Sequence, residues 1–180
     1  MGDPRIASIR RSALFRIIAQ FVRSRRRIVQ QPLSEDSHSA RRFRAVVWGI
    51  GLGEATLVVR PDADGPLAGY WLMALRVHPA ARRMGVATAL CEAIIDTARA
   101  EGAPRLLLSV RSTNAPAIGI YERYGFTPLP SDGPLAPELR RLEALGGAPY
   151  IAMELRIGPD PKSSESCGRQ RPDGQRTDQA

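Results

Sequence analysis

Apolar and polar positions change rhythm several times along this chain, and each rhythm predicts an element. Apolar residues at 6, 9, 14, 17, 18, 21 and 22, set among arginines, give residues 5–29 the spacing of an amphipathic basic helix. Residues 30–42 are polar without a period and read as a loop, and the short N-terminal region is expected to lack a first strand. Two apolar segments, "FRAVVWGI" and "GEATLVVR", flank Gly51-Leu52-Gly53 and predict a hairpin turning there. Pro61 to Gly69 is turn chemistry throughout. "YWLMALRV" (Tyr70 to Val77) reads as a buried strand that Pro79 ends. Val86, Ala89, Leu90, Ala93 and Ile94 then mark one face of a helix, closed by Gly102 and Pro104. "RLLLSV" (Arg105 to Val110) is a short apolar strand. Asn114 and Pro116 open a second helix that stops at Gly125. "GFTPLP" suits an edge strand, residues 129–148 a short helix and pocket wall, and Pro149 to Ile157 a last strand. Residues 158–180 have the composition of a disordered tail.

Strands and helices alternate within one unit, which predicts an α/β or α+β domain over 44–157, with 1–43 a basic helix and loop. The chain's 180 residues suffice for one such domain. No apolar run approaches the roughly 20 residues of a membrane span. Arg16 and Arg23 interrupt what would be the apolar stretch of an export signal. Cys91 and Cys167 make no disulfide framework, which fits a reducing cytoplasm, and the scattered His and Cys residues have no metal-ligand spacing. The net charge of +8 is unevenly placed. Residues 1–45 hold 11 Arg against three acidic residues, while the remainder is neutral. Such an arm either is simply solvated or holds an anionic partner such as nucleic acid or a lipid surface.

The turn between the Tyr70–Val77 strand and the following helix is where candidate chemistry gathers. Arg82, Arg83, Met84, Gly85, Val86, Ala87 and Thr88 surround a helix start, where backbone N–H groups lack intrahelical partners and an anion can sit. Gly85 has no side chain to obstruct it, Ala87 stays small, and the arginines can donate charge-assisted hydrogen bonds. No G-x-G-x-x-G and no Gly-Lys-Ser/Thr is present, which excludes a Rossmann or P-loop nucleotide site.

Arg82-x-x-Gly85-x-Ala87 after a Val77-x-Pro79 strand end resembles the acetyl-CoA-binding signature of the GNAT family of N-acetyltransferases. "SVRSTNAPAIGIYERYGF" (Ser109 to Phe126) resembles that family's second block, through Asn114, Ala117, Tyr121, Gly125 and Phe126. The texture is nearest to the bacterial branch that acetylates protein N-termini. The resemblance is clear over residues 44–128 and poor over 1–43. It implies a mixed, mostly antiparallel sheet, splayed between two central strands, with helices on both faces. It further implies acetyl-CoA as co-substrate, no metal, and an amine-bearing small molecule or protein N-terminus as acceptor. A homodimer is common among relatives. Backbone groups of Leu75, Arg76 and Val77 and the side chain of Asn114 would hold the pantetheine arm. Tyr121 would hydrogen-bond the departing sulfur, a phenol of pKa about 10 facing a thiol of about 8.5.

One position departs from the N-terminus-acetylating branch, which tends to keep a glutamate base where this chain has Ser109. Glu54 and His78 are the nearest substitutes. Without a base the acceptor must lose its proton to water, at about 1 kcal/mol for an α-amine of pKa near 7.7 and about 4.6 for a lysine-like amine near 10.4 at pH 7. The expected acceptor is therefore an amine of lowered pKa. Two rivals remain: a CoA-binding regulatory module without turnover, and an arginine arm that binds nucleic acid or membrane.

Overall fold

A computed structural model describes residues 4–33, 40–61 and 65–158, with side chains placed from residue 15 onward. The tail from 159 lies outside the described residues. In chain order the elements are α1 (Pro4–Arg25), β1 (Arg27–Pro32), β2 (Ala40–Val47), β3 (Ile50–Arg60), β4 (Gly69–Val77), α2 (Val86–Ala100), β5 (Arg105–Arg111), α3 (Ala115–Arg123), β6 (Thr127–Pro128), α4 (Ala136–Gly146) and β7 (Tyr150–Arg156). All seven strands form one sheet in the order β1-β2-β3-β4-β5-β7-β6. Every pairing is antiparallel except β4 with β5.

The period-two alternation of the central strands sorts their side chains between two cores. Phe43, Ala45, Leu57, Leu72, Leu106, Leu108 and Met153 face one side, where Ala19 and Val22 of α1, Leu90, Cys91 and Ile94 of α2 and Tyr121 of α3 cover them. Trp71, Leu107 and Ala152 face the other side, under Leu135 and Leu139 beside α4. Leu90 and Ile94 are wholly buried, so truncating either to Ala should cost about 2–5 kcal/mol.

Two sequence expectations are corrected. The loop expected over 30–42 has strand at both of its ends: β1 runs through Pro32 in register with Pro32↔Arg41, and β2 starts at Ala40. The polar pattern concealed β1 because it is an edge strand whose residues are nearly all exposed. The β2–β3 hairpin turns at Trp48-Gly49, not at Gly51–Gly53. Both turn residues have positive φ, 49° and 81°, matching the two left-handed positions that a tight two-residue hairpin demands. Gly51 and Gly53 lie in β3 at a bulge, where Ala45 pairs Gly53 and Val46 pairs Gly51.

Between β4 and β5 only Tyr70↔Leu106 and Trp71↔Leu107 pair, although both strands run on for several residues. The sheet therefore opens in a V at its centre. On the other edge of β4, the register with β3 slips between Glu54↔Arg76 and Thr56↔Met73, so β4 bulges there. Ala74 sits in the bulge at φ 53°, a conformation that strains any residue with a Cβ. The bulge turns the end of β4 away from β5 and holds the V open.

Candidate active site

The V is lined by backbone that has nothing to pair with. The His78 N–H donates to the Leu52 carbonyl at 2.8 Å, toward β3, and the Arg76 carbonyl faces Gly53 on the same edge. Strand alternation then turns the backbone groups of Leu75 and Val77 to the opposite edge, into the V. A groove of about 600 Å³ occupies this opening, lined by Leu75, Arg76, Val77, Arg82, Ala87, Asn114 and the α3 residues Pro116, Ala117 and Ile120. Its walls are apolar side chains with open backbone donors along one side, which suits a thin amide-bearing chain. Asn114 caps α3 as its sequence position predicts: its side chain accepts from the Ala117 N–H at 3.4 Å.

At the mouth of this groove the turn into α2 forms a cationic recess of about 550 Å³, which shares Val77, Arg82, Ala87, Pro116 and Ile120 with the groove. Arg83, Gly85, Val86 and Thr88 line it too. Gly85 is the residue before α2 and has φ 78°, a left-handed conformation reserved in practice for glycine. Arg83 also has positive φ, 62°. The two residues curl the chain so that the first amides of α2 face outward, at the positive end of the helix. The first turn of α2 contains no acidic residue. The Met84 side chain is buried in the core, so Met84 contributes only backbone to the turn.

The reach of α1 into this recess has no signal in the local motif. Arg23 lines the recess together with Arg82, Arg83 and Arg123. Arg26, one residue beyond α1, donates from Nη1 to the Gly85 carbonyl at 2.7 Å. The Arg83 guanidinium lies 5.4 Å above the Phe15 ring. These partners are distant in the chain, 59 positions for Arg26 and Gly85, so no short motif could announce them.

Tyr121 is buried against Phe126, with ring centroids 5.7 Å apart, and among the described residues its hydroxyl has no hydrogen-bond partner. Burial raises its pKa well above the ordinary phenol range, so it is a fixed O–H donor. Tyr124, the other tyrosine of this segment, is occupied structurally: its hydroxyl lies 3.2 Å from the Thr88 carbonyl and 2.9 Å from Glu92 Oε1, pinning α3 to α2. Cys91 is wholly buried, which pushes its thiol up to about 12 and makes it a poor nucleophile.

Glu54 and His78 are not in the groove. They line a recess of about 300 Å³ on the β3 edge of β4, with Arg44 and Gly51, which meets the groove only across Arg76 and Val77. The Glu54 carboxylate faces Arg42 at 3.9 Å. His78 caps the short turn at Pro79–Ala81, its Nδ1 accepting from the Ala80 N–H at 3.3 Å. Ser109 lies on β5 opposite Ala152, half-buried. The groove lining carries no carboxylate.

Known proteins resemble the chain in sequence and in structure. The profile of the Acetyltransferase (GNAT) family matches residues 19–126. Mycothiol acetyltransferase of Beutenbergia cavernae is 37% identical over 83 residues, covering 40% of this chain and 28% of that protein. This chain thus aligns with little more than a quarter of that relative's length. The ribosomal-protein-S18-alanine N-acetyltransferase of Escherichia coli superposes with a TM-score of 0.54 at 26% identity, over 78% of this chain and 86% of that one. A Salmonella typhimurium protein whose structure holds its cofactor acetyl-CoA superposes with a TM-score of 0.53 at 20% identity, over 68% and 67% of the two chains. Among the described residues no helix is long and apolar enough to cross a membrane.

Proposed function

Because the chain belongs to the Acetyltransferase (GNAT) family, we propose that it transfers the acetyl group of acetyl-CoA directly to the nitrogen of an amine of lowered pKa, on a small molecule or a protein N-terminus. The observation that carries this reading is the continuity of two cavities: the cationic recess over Gly85 opens into the apolar groove between β4 and β5. A diphosphate joined to a pantetheine arm has that order of charge and polarity. Acetyl-CoA would supply the activated acetyl group.

Each residue of the chain then has a defined task. The outward amides from Arg83 to Thr88, with Arg82 and Arg83, hold the diphosphate. A Cβ on Gly85 would stand 3.4 Å from Arg23 Nε and 3.5 Å from Arg26 Nη1, in contact with both guanidinium groups, at a φ that favours glycine. Leu75 and Val77 offer backbone partners to the arm's amides, in the manner of a missing strand. Asn114 closes the groove at the α3 end. Tyr121 donates a hydrogen bond to the sulfur as negative charge develops there. Its raised pKa favours donation over full proton transfer.

The acceptor's proton must leave by another route, since Ser109 cannot take it and Glu54 and His78 lie on the other edge of β4. Water serves, provided the amine is already weakly basic. The difference of about 3.6 kcal/mol between an α-amine and a lysine-like amine sets the expected selectivity. Thiol release from acetyl-CoA, measured across a panel of free amino acids, amino sugars, N-terminal peptides and N-terminally blocked lysine peptides at pH 7, tests this. Turnover with an α-amine or amino sugar and none with blocked lysine peptides is expected. Efficient acetylation of the lysine side chain would refute the acceptor assignment. Binding of acetyl-CoA with no turnover on any amine would favour a CoA-binding module.

A further inference from the structure

α1, which carries much of the chain's excess of positive charge, ends beside the cationic recess, and its placement there is specific. α1 finishes with Arg23 and Arg25 in its last turn, at the negative end of its own dipole. That end abuts the positive end of α2. Arg26 ties the two by its 2.7 Å bond to the Gly85 carbonyl, and Phe15 supports Arg83 from the same helix. Four arginines, Arg23, Arg82, Arg83 and Arg123, therefore line one recess at a helix N-terminus, Arg123 with its Nε donating to the Gly119 carbonyl at 3.1 Å. Among the described residues none of the four has a salt-bridge partner. Cations gathered at the positive end of a helix repel both it and each other, so the arrangement calls for a multivalent anion.

We propose that Arg23 is a ligand of the diphosphate of CoA, so that α1 is the third wall of the phosphate site rather than a separate nucleic-acid or membrane arm. Its Nε stands 3.4 Å from where a Gly85 Cβ would be, so its guanidinium group lies beside the turn that starts α2 and borders the recess. Arg26, whose Nη1 is spent on the Gly85 carbonyl, fixes the distance between the helices. Arg25, two residues further along the same turn, lies outside the recess lining and serves as an internal control. The inference rests on reading the cradle as a diphosphate site, and the experiment separates the two.

Calorimetric titration of CoA and of 3′-dephospho-CoA into the full chain, with Arg23→Gln, Arg25→Gln and Gly85→Glu, gives the test. Arg23 is exposed and outside both cores, so its replacement leaves folding intact. Arg23→Gln should weaken both ligands about tenfold, the worth of a charge-assisted hydrogen bond. Arg25→Gln should stay within about twofold of wild type. Equal losses for the two variants would mean a diffuse field and overturn the proposal. A loss confined to CoA would assign Arg23 to the 3′-phosphate and overturn it as well. Binding that is abolished by Gly85→Glu yet untouched by Arg23→Gln would keep the cradle and remove Arg23. Absence of CoA binding by wild type would remove both.

Discussion

Two regions meet at Gly85 and were built by different rules. From β4 through α3 the site is local: strand, turn, helix, strand and helix follow within about fifty residues, and each turn residue sets its own backbone. The α1–β1 region is the reverse. Its helix touches the site only through the ends of long side chains, and its strand is an exposed sheet edge. The difference teaches that the proposed anion site is half encoded as a short motif and half as a docking geometry. The motif half depends on φ angles and small residues, the docked half on charge and reach.

Disturbing the motif half should have the largest effect. Gly85→Glu puts a Cβ at φ 78° and a carboxylate into a recess lined by arginines. Acetyl-CoA affinity should fall at least a hundredfold by calorimetry, while thermal unfolding shows that the chain still folds. Tyr121→Phe keeps the ring packed on Phe126 and removes only the hydroxyl. Its kcat should drop about tenfold to a hundredfold with acetyl-CoA affinity unchanged, the signature of an interaction made in the transition state. Equal loss of affinity would make Tyr121 a packing residue.

Gly53→Ala sharpens the comparison, because it disturbs the scaffold beneath the motif. The added Cβ would stand 2.7 Å from the Arg76 carbonyl and 3.0 Å from Val86 Cγ1, so β3 must move from β4 and α2. A destabilisation of about 1–3 kcal/mol is expected in denaturant melts, as for other overpacked sites.

The smallest effect belongs to a charge contact outside both halves, and it shows what an ordinary surface pair contributes. Arg41 of β2 grips Glu101 at the end of α2 through both guanidinium nitrogens, Nη2 reaching Oε2 at 2.6 Å. The hydrogen bond from Arg41 holds the Glu101 carboxyl below its ordinary 4.5. A lowered folded pKa contributes stability above the unfolded value and loses it as pH falls through the folded one. Glu101→Gln should therefore lower Tm at pH 7, by the equivalent of less than about 1 kcal/mol for a partly exposed pair, with the difference shrinking as pH falls through the lowered folded value. A deficit independent of pH would mean that shape, not charge, holds the contact.

The same division explains what could be read from the residues alone. Arg82-x-x-Gly85-x-Ala87 and Asn114 were legible because their chemistry lies within a few positions, and they line adjoining cavities. The alternation of strands and helices followed from the order of apolar segments, while the mixed sheet, its central opening and the helices on both faces followed from the resemblance alone. The hairpin turn was misread because Gly51 and Gly53 drew attention from Trp48, which adopts a positive φ that its residue type does not advertise. β1 was missed because "RIVQQP" is an edge strand with no buried face. The Ala74 bulge left no mark, since an alanine in an apolar run looks like any other. Arg23 and Arg26 were visible only as part of a charge run. Long side chains spanning dozens of positions create contacts that periodicity does not contain.

The central claim is that a diphosphate sits on the α2 amides and its arm lies in the V between β4 and β5. A crystal structure of the full chain with CoA tests it most directly. The account predicts phosphate oxygens within hydrogen-bond distance of the amides between Arg83 and Thr88 and of the Arg23 guanidinium, with the pantetheine amides bonded to the backbone of Leu75 and Val77. A ligand bound elsewhere, with the V empty, would contradict it.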